Sequence, residues 1–365
     1  MGALHIYCAG ANIRDLPGKY VDSILLNVVD NFATESLTKE AERMLKCASP
    51  RNFMLDNGGY PLLKAEKKGK PVLHDKTKPI NYQGALNLTP HHVIEVVRKI
   101  WPHDFVASDF PVQKLSDRLQ QESEFKRKLE FNVPWAIESA ELRQRYCPEA
   151  GLFVSIQCYN IEQLEVFLKA IDGIQLEGFS MPIRNMSLQQ IALFMIRFYQ
   201  LGIRRVHLLG VTEFFTLALA AYMSRHFFDW VSLDSRTWKI RAAYSQYLNP
   251  HDLMGEELGN NVIIDENTKI DCSCPWCKDR TFNYMKHLPY KDKRTFLGCH
   301  NHWAIEKAGR DLYQNSRTII ELERYLRLQC RRFDKIRELI NTLYLIDTLK
   351  DDDIRYLQEC LIIHS

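Results

Sequence analysis

Short runs of apolar and β-branched residues alternate along the first 240 positions with longer segments whose apolar side chains recur every three or four residues. The short runs fall at 4–10, 23–29, 53–56, 105–108, 152–156, 173–177, 205–209 and 230–233. Several are almost continuously apolar, the pattern of parallel strands covered on both faces. The helical segments between them are 35–47, 90–101, 160–170, 187–201 and 212–226. Thr89-Pro90 puts a capping residue and a first-turn proline ahead of the second of these. Eight strands alternating with helices predict an α/β fold, a (β/α)8 barrel of the TIM type. A doubly wound sheet is the rival, weakened because no G-x-G-x-x-G follows the first strand. Past residue 240 the texture changes, and 303–363 reads as three strongly charged helices.

Composition narrows the classes. The chain has 365 residues, 46% hydrophobic and 25% charged, enough for a sizeable core. A net charge of +3 provides no global basic field, so nucleic-acid binding would have to come from local patches. There is no run of about 18 apolar residues and no basic leader with an apolar stretch, so neither a membrane span nor a signal peptide is expected. Met1-Gly2 opens like a myristoylation site, but Ile6 stands where Ser or Thr is needed. The ten cysteines are scattered apart from one cluster, unlike a secreted disulfide framework. The expectation is a cytoplasmic chain with reduced thiols.

That cluster is "CSCPWC", residues 272–277. C-x-C-x-x-C spacing gathers Cys272, Cys274 and Cys277 at one point, and tetrahedral Zn2+ asks for four ligands. "GCHNHW" offers Cys299, His300 and His302 as the fourth. Four protein ligands would make the zinc structural, with no open position for chemistry. Buried free cysteines and a redox pair are the plainer alternatives. The expected division is a catalytic barrel over 1–240 and a zinc-binding, helical C-terminal subdomain over 241–365, packed on the barrel.

In a (β/α)8 barrel the reacting groups sit at the C-terminal ends of the strands. Asp56 ends the third strand, Asp109 follows the fourth, Gln157 ends the fifth, and Asp234 ends the eighth. Gly178 and Gly210 follow the sixth and seventh. One strand-end Asp is more often a cap or turn former. Three carboxylates and an amide at successive strand ends favour a shared mouth.

"LDNGGY", "ASDFP", "SIQ", "HLLGV", "LDS" and C-x-C-x-x-C followed by His-Asn occur here in the order that resembles the tRNA-guanine transglycosylase superfamily, over residues 4–302. The resemblance implies a (β/α)8 barrel with structural zinc that exchanges guanine in nucleic acid for a 7-deazaguanine. It implies Asp234 as nucleophile and Asp56 as acid/base. Asp109 and Gln157 would read the base, with Gly178 as a backbone reader. Tyr60 and Leu209, beside Gly210, would sandwich the base, and His300 would be the fourth zinc ligand, with His302 as substitute. Asp229 is the competing register for the nucleophile. "SRTW" after Asp234 and the lack of a clear RNA-binding domain of the archaeal kind lean the reading to the branch that inserts 7-cyano-7-deazaguanine into DNA. Partners would then be DNA and a free 7-deazaguanine base, with room for a helper protein that opens the duplex. A tRNA enzyme, a non-catalytic partner subunit and a zinc hydrolase stay open as alternatives. Phosphates would be tracked by Lys67, Lys68 and Lys70 in the lysine-rich stretch 62–79, and by Arg324, Arg327, Arg331 and Arg332 on one predicted helix. The plainer reading of the first stretch is a solvated hairpin.

Overall fold

The computed structural model describes residues 2–10, 21–258, 270 and 272–363. Met1 and residues 11–20, part of the opening stretch that bears on the expected lack of a leader, lie outside the described residues.

Strand β1 (Ala3–Ala9) is followed by β2 (Ser23–Asn27), helices α1 (Val28–Phe32) and α2 (Glu35–Ala48), then β3 (Asn52–Asp56) and α3 (Gly59–Lys67). A small three-stranded sheet comes next: β4 (Val72–Leu73), β5 (Asn81–Tyr82) and β6 (Ala85–Asn87). The alternation resumes with α4 (Pro90–Ile100), β7 (Asp104–Val106), α5 (Arg118–Tyr146), β8 (Gly151–Ser155) and α6 (Ile161–Ala170). It continues with β9 (Gly178–Pro182), α7 (Leu188–Gln200), β10 (Arg205–Leu209), α8 (Phe214–His226) and β11 (Trp230–Ser235). After it come α9 (Thr237–Ala243), the hairpin β12 (Gln246–Leu248) and β13 (Gly255–Glu257), and α10 (Phe282–Lys286). Four helices finish the described chain: α11 (Tyr290–Asn315), α12 (Ile319–Gln329), α13 (Phe333–Leu349) and α14 (Ile354–Ile363).

Eight strands close into a barrel in the order β1-β11-β10-β9-β8-β7-β3-β2, and the barrel pairings β1-β11, β10-β9, β9-β8, β8-β7, β7-β3 and β3-β2 are parallel. This is the (β/α)8 architecture expected from the apolar pattern. β2 and β8 are buried at every position, as two-sided burial requires. The chain gathers into two compact units, Asp22–Leu209 and Met1–Val21 with Gly210–Ser365. In the second unit, α11 packs against α9, α8, β1 and β12. Gly309 of α11 approaches β1 so closely that a Cβ there would lie 2.4 Å from Ile6 Cδ1.

Several sequence expectations are corrected. The sixth strand is 178–182, not 173–177. Glu177, assigned to that strand, instead accepts hydrogen bonds from Arg143 (2.5 Å) and from Leu152 N (2.7 Å) ahead of β9. The second strand stops at Asn27, whose side chain caps α1 by accepting from Val29 N and Asp30 N. Thr89 does precede α4, but its hydroxyl bonds the His92 ring (2.9 Å) rather than a backbone N–H. The C-terminal region has four helices rather than three, and the first starts at Tyr290, not 303. The arginine-rich stretch is split: α12 ends at Gln329 and α13 begins at Phe333. The lysine-rich stretch is the end of α3 followed by β4 of the small sheet, not a simple hairpin. Sequence reading missed α5, a 29-residue helix with Pro134 inside it.

Candidate active site and metal centre

The metal centre forms where the turn 272–277 meets α11. The ligand atoms of Cys272, Cys274, Cys277 and His300 all lie within 4.8 Å of one another. His300 Nδ1 stands 3.6, 3.5 and 3.3 Å from the three sulfurs in order. A tetrahedral zinc with bonds of about 2.0–2.3 Å has ligand–ligand edges of roughly 3.5–3.8 Å, so the donor set fits. Backbone N–H groups of Cys274 and Cys277 point at the sulfurs of Cys272 (3.4 Å) and Cys274 (3.2 Å), stabilising thiolate charge. His300 Nε2 donates to Leu248 O (2.8 Å), which leaves Nδ1 as the metal donor and fixes the ring. Tyr247 stacks on that ring at 3.9 Å. The neighbour Asn301 accepts from Leu248 N (2.9 Å) and donates to Gln246 O (3.0 Å), so the His-Asn pair straps β12 to α11. His302 faces elsewhere: its ring meets Trp238 edge-on, and burial lowers its pKa to about 4. His300 is therefore the fourth ligand. The four protein donors make this a structural zinc site.

In the unit 22–209, Asp109 is buried at the end of the segment that leaves β7. Asn57 Nδ2 donates to its Oδ1 (2.9 Å), and Gln157 Nε2 donates to its Oδ2. Burial pushes its pKa above the usual carboxylate range, with hydrogen bonds from Ser155, Gln157 and Asn57 acting the other way. Asn57 also donates to Ala107 O and accepts from Gly59 N (2.6 Å), so one side chain ties "DNGGY" to "ASDFP". Gly58 adopts φ +91°, and a Cβ on Gly59 would collide with Asp109. The two glycines are thus needed for different reasons, backbone conformation and close approach.

Asp56 is the last residue of β3. Opposite it on β2 is Asn27, whose Nδ2 donates to Asp56 Oδ2 (2.5 Å). Tyr60, in the first turn of α3, is 52% exposed, with the Arg184 guanidinium 5.5 Å and Lys64 Nζ 5.4 Å from its ring centre. Leu209 ends β10. Gly178 does not take the place expected of it. It opens β9 opposite Phe153 and is buried at the N-terminal end of that strand, the end away from the loops that carry barrel chemistry.

In the other unit, Asp234 is the fifth of six residues of β11, paired with Tyr7 of β1. Gly210 N donates to its Oδ1 (2.9 Å). Asp229 lies before β11, and its carbonyl accepts from Ala3 N (2.9 Å). Ser235 shares a hydrogen bond with Thr212 (2.7 Å) and accepts from Thr237 N (3.0 Å), fixing the turn into α9.

A model of the queuine tRNA-ribosyltransferase family matches residues 24–337. The chain belongs to that family. Its similarity to curated relatives is distant and partial. A tRNA-guanine(15) transglycosylase of Pyrococcus abyssi is 29% identical over 104 residues, 28% of this chain and 16% of the relative. The enzyme of the same name from Thermococcus kodakarensis is 21% identical over 227 residues, 61% of this chain and 36% of the relative. The chain thus spans well under half the length of the curated relatives it matches.

The basic residues divide by environment. Lys67, Lys68 and Lys70 are exposed around the end of α3. Arg324 and Arg331 are exposed, and Arg327 is paired with Glu323 (2.7 Å). Arg332 is engaged internally: it contacts Glu213 (3.2 Å), donates to Asp252 O (3.2 Å) and lies over the Phe215 ring. Sequence reading also missed three groups around Asp109. Asn57 lay inside a quoted motif without a role. Asn132 of α5 grips Phe110, accepting from its N (2.7 Å) and donating to its O (3.1 Å). Lys128, one turn earlier, has a fully buried side chain.

Proposed function

We propose that this family member is a base-exchange transglycosylase, a pentosyltransferase that replaces guanine in a polynucleotide. The observation that carries the reading is Asp109: a buried carboxylate just beyond barrel strand β7, hydrogen-bonded by neutral donors. A carboxylate so placed accepts hydrogen bonds from the N–H edge of guanine, strongly where water is excluded. In this reading Asp234 attacks C1′ of the target nucleotide. The C1′–N9 bond breaks and an ester joins the sugar to Asp234. Asp56 protonates the departing base, then accepts the proton of the incoming one. The incoming nitrogen attacks C1′ and frees Asp234. Gln157 assists recognition, and Tyr60 with Leu209 and Gly210 flanks the base. The division into a catalytic barrel over 1–240 and a zinc-binding, helical part over 241–365 belongs to the same reading.

The finer proposal is that the polymer is DNA and the incoming base 7-cyano-7-deazaguanine. It rests on the resemblance and on the "SRTW" that follows Asp234. The target must leave the base stack, because a barrel mouth cannot admit a duplex. The names of the relatives favour tRNA instead. Labelled guanine or 7-cyano-7-deazaguanine, incubated with the protein and with duplex DNA, single-stranded DNA or tRNA, separates the two. Label in DNA supports the proposal; label in tRNA alone moves the chain to the tRNA reading, and label in neither overturns base exchange.

A further inference from the structure

We infer that the ion pair between buried Lys128 and half-buried Glu66 is a positioning device for base recognition, locking α3 onto α5 so that Asp109 and Tyr60 keep their places around the incoming base. The inference rests on the base-exchange reading of this site.

The geometry forms a closed circuit. Lys128 Nζ lies 2.7 Å from Glu66 Oε2 and 2.8 Å from the centre of the Phe110 ring. Phe110 follows Asp109 directly, and its backbone is gripped by Asn132, four residues beyond Lys128 on the same face of α5. Glu66 sits near the end of α3, whose first residue, Gly59, touches Asp109. One helix therefore begins at the base-reading carboxylate and is pinned at its far end by the lysine beneath the next residue of the same loop. Tyr60 rides on that helix.

Stability alone is a poor reason for this lysine. A lysine taken out of water to meet a half-buried carboxylate is often no better than well-packed apolar side chains, although leaving the buried cation without its partner is costly. What the pair provides is register. Its cation is held by Glu66 from α3, with Arg127 and Glu124 beside it on α5, His74 facing from beyond β4, and Asp109 within electrostatic reach. Burial lowers the Lys128 pKa to about 8, with Glu66 opposing the shift. The clamp is charged at neutral pH and weakens above that value.

The test uses the full-length protein. Amide hydrogen exchange is followed in peptides covering 57–60 and 107–112, with 151–155 as control, in the wild type, Glu66→Gln, Lys128→Met and Lys128→Arg. Guanine affinity is measured by calorimetry, and affinity for a guanine-containing single-stranded oligonucleotide by anisotropy. Glu66→Gln and Lys128→Met should speed exchange in the first two peptides only and weaken guanine binding about 10-fold, as small displacements of a recognition group do. Oligonucleotide affinity should hold, and Lys128→Arg should restore guanine binding. Wild-type guanine affinity should fall as pH rises through about 8, and Lys128→Arg should lose that dependence. Unchanged exchange, or equal losses for guanine and oligonucleotide, overturns the inference. If the neutral variants do not fold, wild-type exchange in the same peptides at pH 7 and pH 9, corrected for intrinsic rate, decides it. A wild type that binds no guanine removes the base-exchange reading, and hydrogen exchange then judges the clamp alone.

Discussion

A Cβ built on Gly59 would lie 2.0 Å from Asp109 Oδ1, inside any tolerable contact. Gly59→Ala should therefore displace either α3 or the carboxylate. We expect a folded protein whose free-base KM rises about 10- to 100-fold, from the loss of charge-assisted hydrogen bonds worth about 1.5–3 kcal/mol. Steady-state kinetics with guanine at saturating polymer measures it; an unchanged KM would mean that the backbone absorbs the methyl group.

Asp234→Asn should abolish the covalent adduct between protein and polynucleotide and lower exchange by at least ~10³-fold, while Asp229→Asn does neither. The two sit at opposite ends of β11. Trapped adduct on a denaturing gel reads the result, and the reverse pattern would move the nucleophile to Asp229.

Asp109 carries a pH signature. Its folded pKa is raised, chiefly by burial, so its contribution to stability is present below about pH 3.8 and lost as pH rises through the folded value. Asp109→Asn should consequently be more stable than the wild type at neutral pH, with the gap closing toward pH 4, yet poor in binding guanine. Thermal unfolding across pH 4–8 is the check. A variant less stable throughout would show that its hydrogen bonds outweigh the desolvation of the charge.

Cys274→Ala combined with His300→Ala should remove the zinc, lower the melting temperature and raise protease sensitivity, because binding energy at a closed site is folding energy. Elemental analysis gives the metal content. Full zinc retention in that variant would place the metal elsewhere.

Charge reversal at Lys67 and Lys68 should weaken polymer binding and flatten its salt dependence, by about one unit of log–log slope for each phosphate no longer neutralised. Guanine binding should stay unchanged. Anisotropy at several salt concentrations measures both, and an unaltered slope would assign these lysines to solvent.

The barrel was legible because parallel strands buried on two faces are written as apolar runs. β9 was not, since "GFSMP" carries a glycine and a proline, whereas "GIQLE" just before it looks more strand-like. Tertiary burial overrode propensity there, and the slip carried Gly178 to the wrong end of its strand. α5 escaped notice because Pro134 and many charges interrupt its apolar period. The zinc ligands were legible down to a choice between two histidines, which only the orientation of Nδ1 settles. Asp109 and Gln157 were readable as residue types. Nothing local marks Lys128, whose partner lies 62 positions away.

Helix α11 holds His300 against the three sulfurs and, nine residues on, sets Gly309 against Ile6 of β1. At 1.5 Å per residue, those points are about 13 Å apart on one rod. β1 is also the strand whose Tyr7 pairs with Asp234. A metal held at one point of the rod thus backs the strand that pairs with Asp234, the proposed nucleophile. Zinc supply would then set how many molecules hold β1 against α11, and so act on the amount of folded protein rather than on the proposed chemistry itself.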